Sequence, residues 1–341
     1  MINKLEKKRF GEIDICKGLG IILVVLGHAL KQTGSLDNAV AIPLSVIYSF
    51  HMPLFFLLSG FLSVKLLDLA GGPFSKDRLH YIGSKAVRLL VPYFVMSLLY
   101  LPLKLLMNRV AIQTYEITDA WRILIGDSPN TSVWFLYILF FCCAVAALLV
   151  RRSNLNLVFF AAMLFSSAAY ALGWQIRFPR FFIYFIMGLL LRENDATCRA
   201  VLETVPAVIL SALFFVIGNV MGFRHGGLWF FLTSVTGCHL VFCLADFLND
   251  RLEVYSRRHC REAACRLITG LMGAGKASMD IYIFSDPVMT ALRLLLWNVA
   301  HLHEVVCIAI CFVGGLLIPI PLCRYVIRKV KVLRLLFLGE R

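Results

Sequence analysis

Residues 13–31 read IDICKGLGIILVVLGHALK. Nineteen residues of α-helix rise about 28 Å, the depth of a bilayer's hydrocarbon core. The stretch is apolar except for Asp14, Lys17, His28 and the closing Lys31. Ionisable groups inside a spanning helix are costly, and they face the bundle interior rather than lipid. Asp14 and Lys17 are three residues apart and can share one helix face. Lys17 and His28 are eleven apart, close to three full turns, so His28 returns to nearly the same face about 16 Å further along the axis. A polar stripe therefore runs along a helix that is otherwise fit for lipid.

Working outward, apolar runs of spanning length recur at 43–67, 87–107, 131–150, 155–173, 179–192, 201–221, 227–249, 278–299 and 304–323. With 13–31 they predict an all-α, polytopic membrane helix bundle of about ten transmembrane helices, the 179–192 run being short enough to be tilted or partly buried. The composition agrees. Hydrophobic residues make up 60% of the 341 and charged ones only 16%, and the mean hydropathy is +0.81. Lipid covers apolar faces that water would not. Helices satisfy their own backbone polar groups in that solvent, and the alternating segments of a barrel are not seen. No repeat or long soluble tract interrupts the pattern. We read residues 1–341 as a single integral domain, with a cytoplasmic N-terminus at 1–12, a basic loop at 250–277 and a basic amphipathic tail at 324–341 on the membrane surface.

The formal net charge is +14. Its distribution gives an orientation. With the N-terminus inside, 25 of the 34 Lys and Arg residues fall on the cytoplasmic side, 8 fall on the opposite side, and Lys17 lies within the first helix. Such a bias sets both termini in the cytoplasm and accounts for the basic balance without nucleic acid. The N-terminal run is not read as a signal peptide, because no small-residue cleavage site follows it and Lys17 and His28 are foreign to such a segment. The eleven cysteines contain no Cys-x-x-Cys pair and sit mostly in apolar runs, so they read as small core residues rather than a disulfide or zinc framework.

The second helix carries Phe50-His51-Met52-Pro53-Leu54-Phe55-Phe56-Leu57-Leu58-Ser59-Gly60-Phe61. Pro53 suits the first turn of a helix, and Ser59-Gly60 allows close helix approach. A short connection makes helices one and two a hairpin, which brings His51 within reach of His28. Two histidines without a third ligand do not make a metal site, and no metal is expected.

These two segments, Ile13 to His28 and Phe50 to Phe61, resemble the integral-membrane acyltransferase-3 family, in its fucose-4-O-acetylase-like branch. Lys85-x-x-Arg88-Leu89-Leu90-Val91-Pro92-Tyr93, Val133-Trp134-Phe135-Leu136, the Phe-rich run from Pro179 to Gly188 and Ser278-Met279-Asp280-Ile281-Tyr282 follow in the family's order. The resemblance implies transfer of an acyl group, usually acetyl, from a cytoplasmic donor such as acetyl-CoA to a carbohydrate hydroxyl. No tightly bound cofactor is implied, and the setting is a bacterial inner membrane. It also implies a functional basic residue and a histidine with ten residues between them, here Lys17 and His28. Lys keeps the charge of the more usual Arg but not its bidentate fork. Phe284-Ser285-Asp286 stands where the family often has a histidine, and no catalytic role is assigned there.

Acyl transfer to an alcohol needs a base, an oxyanion donor and a means of holding both substrates. His28 is the candidate base. His51 would hold its tautomer or donate to the oxyanion, and Asp14 would orient Lys17. Lys17, Lys85 and Arg88 are candidates for the donor's phosphates. Trp134, Arg177, Arg180 and His225 are candidates for the carbohydrate, at predicted outer helix ends. A buried Asp, Lys and His in ten helices also suit a transporter or flippase for a polysaccharide, lipid-linked sugar or organic acid, although the inverted repeats of many carriers are not seen.

Overall fold

A computed structural model describes residues 2–31, 37–106, 116–174, 176–222, 227–257 and 263–340. Among them are fourteen α-helices and no strand. These are α1 (Ile2–Leu30), α2 (Asp37–Leu62), α3 (Lys76–Leu106), α4 (Trp134–Leu149), α5 (Leu155–Ala171), α6 (Arg177–Glu193) and α7 (Asp195–Leu202). They continue as α8 (Val205–Val220), α9 (Gly227–Arg257), α10 (Ala263–Lys276), α11 (Ser278–Arg293), α12 (Glu304–Leu317), α13 (Pro319–Tyr325) and α14 (Lys331–Leu338).

Each predicted span coincides with helix, but not all ten are long enough to cross a bilayer alone. Among the described residues, six stretches are: Gly11–Leu30, Val40–Leu62, Lys76–Leu105, Arg152–Ala171, Gly227–Leu252 and Glu304–Lys329. The pair α7 and α8, bent by 77°, makes a seventh if counted as one span. Helices α4, α6 and α11 have 16, 17 and 16 residues, or about 25 Å of rise each. Helix α6 is short because it is internal. Its residues Phe181 to Leu189 are all buried, and it packs on α2, α4 and α5.

Glycine sets the two closest crossings. A Cβ on Gly60 would collide with the Phe185 carbonyl, and one on Gly188 with the Leu57 carbonyl, so α2 and α6 meet backbone to backbone. Gly18 and Gly275 do the same for α1 and α10, against Leu271 and Asp14. Small residues give membrane helices this approach, where van der Waals contact replaces the hydrophobic drive.

Pro53 is not at a helix start. It lies well inside α2, which begins at Asp37. A proline within a helix frees the carbonyl four residues earlier, here that of Ser49. The Ser234 hydroxyl of α9 lies 2.6 Å from that carbonyl and 2.8 Å from its own Phe230 carbonyl, and shares its one hydrogen between them. The neighbouring helix thus completes the ladder that Pro53 interrupts, with His51 midway between Ser49 and Pro53.

The basic stretch 250–277 is largely helical rather than a loop. Helix α9 continues to Arg257, and α10 lies along α1. At the same end of the bundle, Arg199 of α7 gathers Glu12, Asp195 and Glu203 at 2.6, 3.0 and 2.9 Å, which ties the α7–α8 elbow to α1. The tail holds α14 against α3.

Candidate functional site

Near the C-terminal end of α1, the bundle opens into a cavity of about 1130 Å³. His28 of α1 and His51 of α2 both line it. So do Trp134 at the start of α4, Arg177 and Arg180 in the first turn of α6, and Tyr282 of α11. Five residues singled out from the sequence therefore share one cavity, although they come from four helices.

The His51 ring has a defined proton. Its Nδ1 lies 2.7 Å from the Ile47 carbonyl oxygen, one turn earlier on α2. A carbonyl can only accept, so Nδ1 carries the hydrogen, and Nε2 of the neutral ring is an acceptor. His51 thus cannot donate to an oxyanion through Nε2 while neutral. The Tyr48 ring meets it edge-on at 4.9 Å.

Two donors in the cavity went unrecognised in the sequence. Among the described residues, Tyr48 Oη and Ser132 Oγ are buried without a hydrogen-bond partner, and both residues line the cavity. Buried polar groups are nearly always satisfied, so two orphans facing one space mark where a ligand's oxygens would sit. Tyr48 lies three residues before His51, on the same helix face, which is the signal that could have found it. Tyr282 donates its hydroxyl to the Ser132 carbonyl and holds that wall to α11.

Asp286 is a further residue the sequence reading passed over. It is buried on α11, and its charge interacts with His28, Tyr48, Tyr100, Tyr282 and Arg293. The Tyr100 hydroxyl shares a hydrogen with Thr290 at 2.9 Å, beside it.

The aromatic wall is continuous. Trp134 packs with Phe181 at 5.1 Å, and Phe181 stacks on Phe56 at 4.8 Å. Arg177 lies over Trp134 at 5.0 Å, and Arg180 over Phe230 at 4.1 Å.

The other singled-out residues stand apart from this cavity. Lys17 is half-buried in the first half of α1, and Asp14 forms an ion pair with Lys276 at 4.0 Å. Lys85 places Nζ over the Tyr81 ring at 5.3 Å. Arg88 is bound by the tail, donating to the Leu338 carbonyl at 2.7 Å and to Glu340 Oε1 at 2.9 Å. Arg328 approaches the same carboxylate at 3.4 Å and grips Asp280 through two bonds of 2.6 and 2.8 Å. Burial pushes the Glu340 carboxyl up, but Arg88 and Arg328 outweigh it and hold it below the usual carboxylate range. Arg88 and Glu340 also line a second cavity, of about 520 Å³, with His80 and Ser84. His225 lies outside the described residues.

Against this geometry, the sequence of residues 10–324 matches the model of a family described as an acyltransferase domain, the acyltransferase-3 family. The chain belongs to this family. Two curated proteins are similar to parts of it. The nodulation protein NolL of Sinorhizobium fredii is 34% identical over 128 residues, 36% of this chain and 32% of that protein. The nodulation protein NolL of Mesorhizobium japonicum is 29% identical over 147 residues, 42% of this chain and 37% of that protein. The chain spans about a third of the length of these curated relatives. No solved structure matches. An acyltransferase-3 member with these apolar helices is an integral membrane protein.

Proposed function

We propose that the protein is a membrane O-acyltransferase that moves an acyl group, acetyl in the simplest case, from a cytoplasmic thioester donor such as acetyl-CoA to a carbohydrate hydroxyl. The observation that carries this reading is the convergence of His28 and His51 on one large cavity walled by Trp134, Arg177 and Arg180, in a chain of the acyltransferase-3 family. The acceptor would enter that cavity. The charge bias along the chain supports an orientation with both termini in the cytoplasm and the cavity on the far side of an inner membrane. Lys17 then stands nearer the donor's entry, about 16 Å along α1 from His28, a gap that the donor's pantetheine arm must bridge.

In the transfer step, His28 takes the proton of the acceptor hydroxyl as its oxygen attacks the thioester carbonyl. The carbon–oxygen bond forms, the carbon–sulfur bond breaks, and the proton passes from His28 to the departing thiolate, leaving an ester and a free thiol. Tyr48 Oη and Ser132 Oγ are the donors placed to meet the developing oxyanion, a role worth roughly 10²- to 10³-fold per donor. His51, with its proton held by Ile47, would accept a hydrogen bond from the acceptor or from His28. Asp286 would steady the charge that His28 gains in the step.

The test is transfer of labelled acetyl from acetyl-CoA to surface glycans in membranes holding wild type or His28→Ala, with the ester located by mass spectrometry. Loss of roughly 10²- to 10⁴-fold is expected for the variant. Full activity in a correctly inserted His28→Ala protein removes His28 from the mechanism. A carrier, by contrast, leaves no acyl group on any carbohydrate.

A further inference from the structure

Among the described residues, the lining of the histidine cavity carries more positive than negative charge. Lys31, Lys104, Arg122, Arg177 and Arg180 line it, against one carboxylate, Asp127. That acid is already engaged, since Arg122 lies 4.0 Å from Asp127 and 3.3 Å from Asp119. Among the described residues, Lys31, Lys104, Arg177 and Arg180 have no acidic partner within 4.0 Å. Arg177 and Arg180 lie over rings instead, and Arg180 Nε is buried with no hydrogen-bond partner. Both stand in the first turn of α6, where the helix dipole is itself positive and cations are disfavoured.

Lys31 and Arg177 keep contact with solvent, whereas Arg180 is half-buried and its placement is the unfavourable one. The Arg180 guanidinium, set among aromatic side chains, needs a counter-charge, and among the described residues no carboxylate lies within 4.0 Å of it. A single carboxylate would answer one cation. A phosphate carries roughly two negative charges and three acceptor oxygens, and two guanidinium forks recognise it in bidentate fashion.

We infer that the acceptor is an anionic saccharide whose phosphate or pyrophosphate group docks between Arg177 and Arg180, with its sugar against Trp134 and its reacting hydroxyl toward His28. The inference rests on the reading of this cavity as the acceptor site. The same chemistry is offered by a free sugar phosphate and by a saccharide linked to lipid through pyrophosphate.

The experiment uses the full chain in nanodiscs and measures binding by calorimetry. The probes are inorganic pyrophosphate, N-acetylglucosamine, its 1-phosphate, and dodecyl-pyrophosphate-linked N-acetylglucosamine. Pyrophosphate and both phosphorylated saccharides should bind, with affinity falling as salt rises, and each should outbind the neutral sugar. Arg177→Gln and Arg180→Gln should each weaken the phosphorylated probes by about tenfold or more, with Arg180→Lys intermediate. Tighter binding of the lipid-linked probe identifies a membrane-borne acceptor, and equal binding identifies a soluble one. Equal binding of neutral and phosphorylated sugars overturns the inference, as does salt-independent pyrophosphate binding or the absence of any binding by the phosphorylated probes. Acetyl transfer is followed in the same preparation. Phosphate-dependent binding without acyl transfer leaves this inference standing and removes the transferase reading, whereas efficient acylation of a neutral saccharide does the reverse.

Discussion

His51 Nδ1 lies 2.7 Å from the carbonyl oxygen of Ile47, four residues earlier on α2. The contact assigns the ring's one hydrogen when it is neutral and leaves Nε2 as its acceptor. It also ties the orientation of the ring to a rigid helical turn rather than to a loop, so little reorganisation is needed when a substrate arrives.

His51→Phe keeps the bulk and aromatic packing against Tyr48 but removes the acceptor nitrogen. Acyl transfer per mole of inserted protein should fall by roughly 10²-fold, toward the lower end for a positioned acid–base group. The fall should be smaller in a protein that already carries His28→Ala, because groups that act as a unit are not additive. Independent losses in the two backgrounds would show that the histidines do not act together.

The way α2 reaches the site makes a second prediction. Pro53 frees the Ser49 carbonyl, and the Ser234 hydroxyl meets it at 2.6 Å. Ser234→Ala should therefore leave a buried carbonyl short of a partner and cost about 1 to 3 kcal/mol. In a Pro53→Ala background the helix supplies its own N–H, and the same Ser234→Ala change should cost distinctly less. Thermal unfolding in detergent of the four proteins of this cycle gives the coupling. Equal costs in both backgrounds would show that Ser234 does not repair the ladder.

Such features explain what the sequence could and could not display. The helices were legible because apolar runs bounded by charge have one stable form in lipid. His28 and His51 stood out because a polar ring within an apolar run is costly and needs a reason. Pro53 misled, since from sequence a proline reads as a helix start, while its repair comes from Ser234, 181 residues later. The length of the 179–192 run already allowed a partly buried helix, but tilt and burial stayed open until the fold was known, because hydropathy reports apolar residues and not whether lipid or protein covers them. Arg88 read as a free phosphate ligand because its partner Glu340 is 252 residues away. Asp286 was passed over as a departure from an expected histidine, and only the folded bundle brings its charge to His28.

The α2–α6 crossing should be intolerant of side chains. Gly188 faces the Leu57 carbonyl and the Phe61 amide, and Gly60 faces the Phe185 carbonyl. Gly188→Val adds branched bulk where backbone already fills the space, and separating the helices should cost about 1 to 3 kcal/mol or more. It should also reduce acyl transfer, since α2 and α6 carry His51 and the two arginines. Gly72→Ala, with open space around it, is the matched control and should leave the unfolding temperature unchanged. A Gly188→Val protein as stable as wild type would mean that these helices pack otherwise.

The tail contact gives a prediction in pH. Glu340 is held below its ordinary value of 4.5 by Arg88 and Arg328, which together outweigh the opposing effect of burial. A carboxylate with a depressed folded-state value contributes stability that is fully present above the ordinary value and is lost as the pH falls through the folded one. Docking of α14 on α3 should therefore be constant above about pH 5 and weaken progressively below about pH 4. The contact is partly exposed, so its contribution is roughly 1 kcal/mol. Hydrogen exchange of the α14 amides, read against amides of the bundle core, measures it. Glu340→Gln should raise α14 exchange at neutral pH by roughly fivefold and abolish the pH dependence in the acid range. Exchange that is unchanged by Glu340→Gln, or that keeps its acid limb in the variant, would mean that other contacts hold the tail in place.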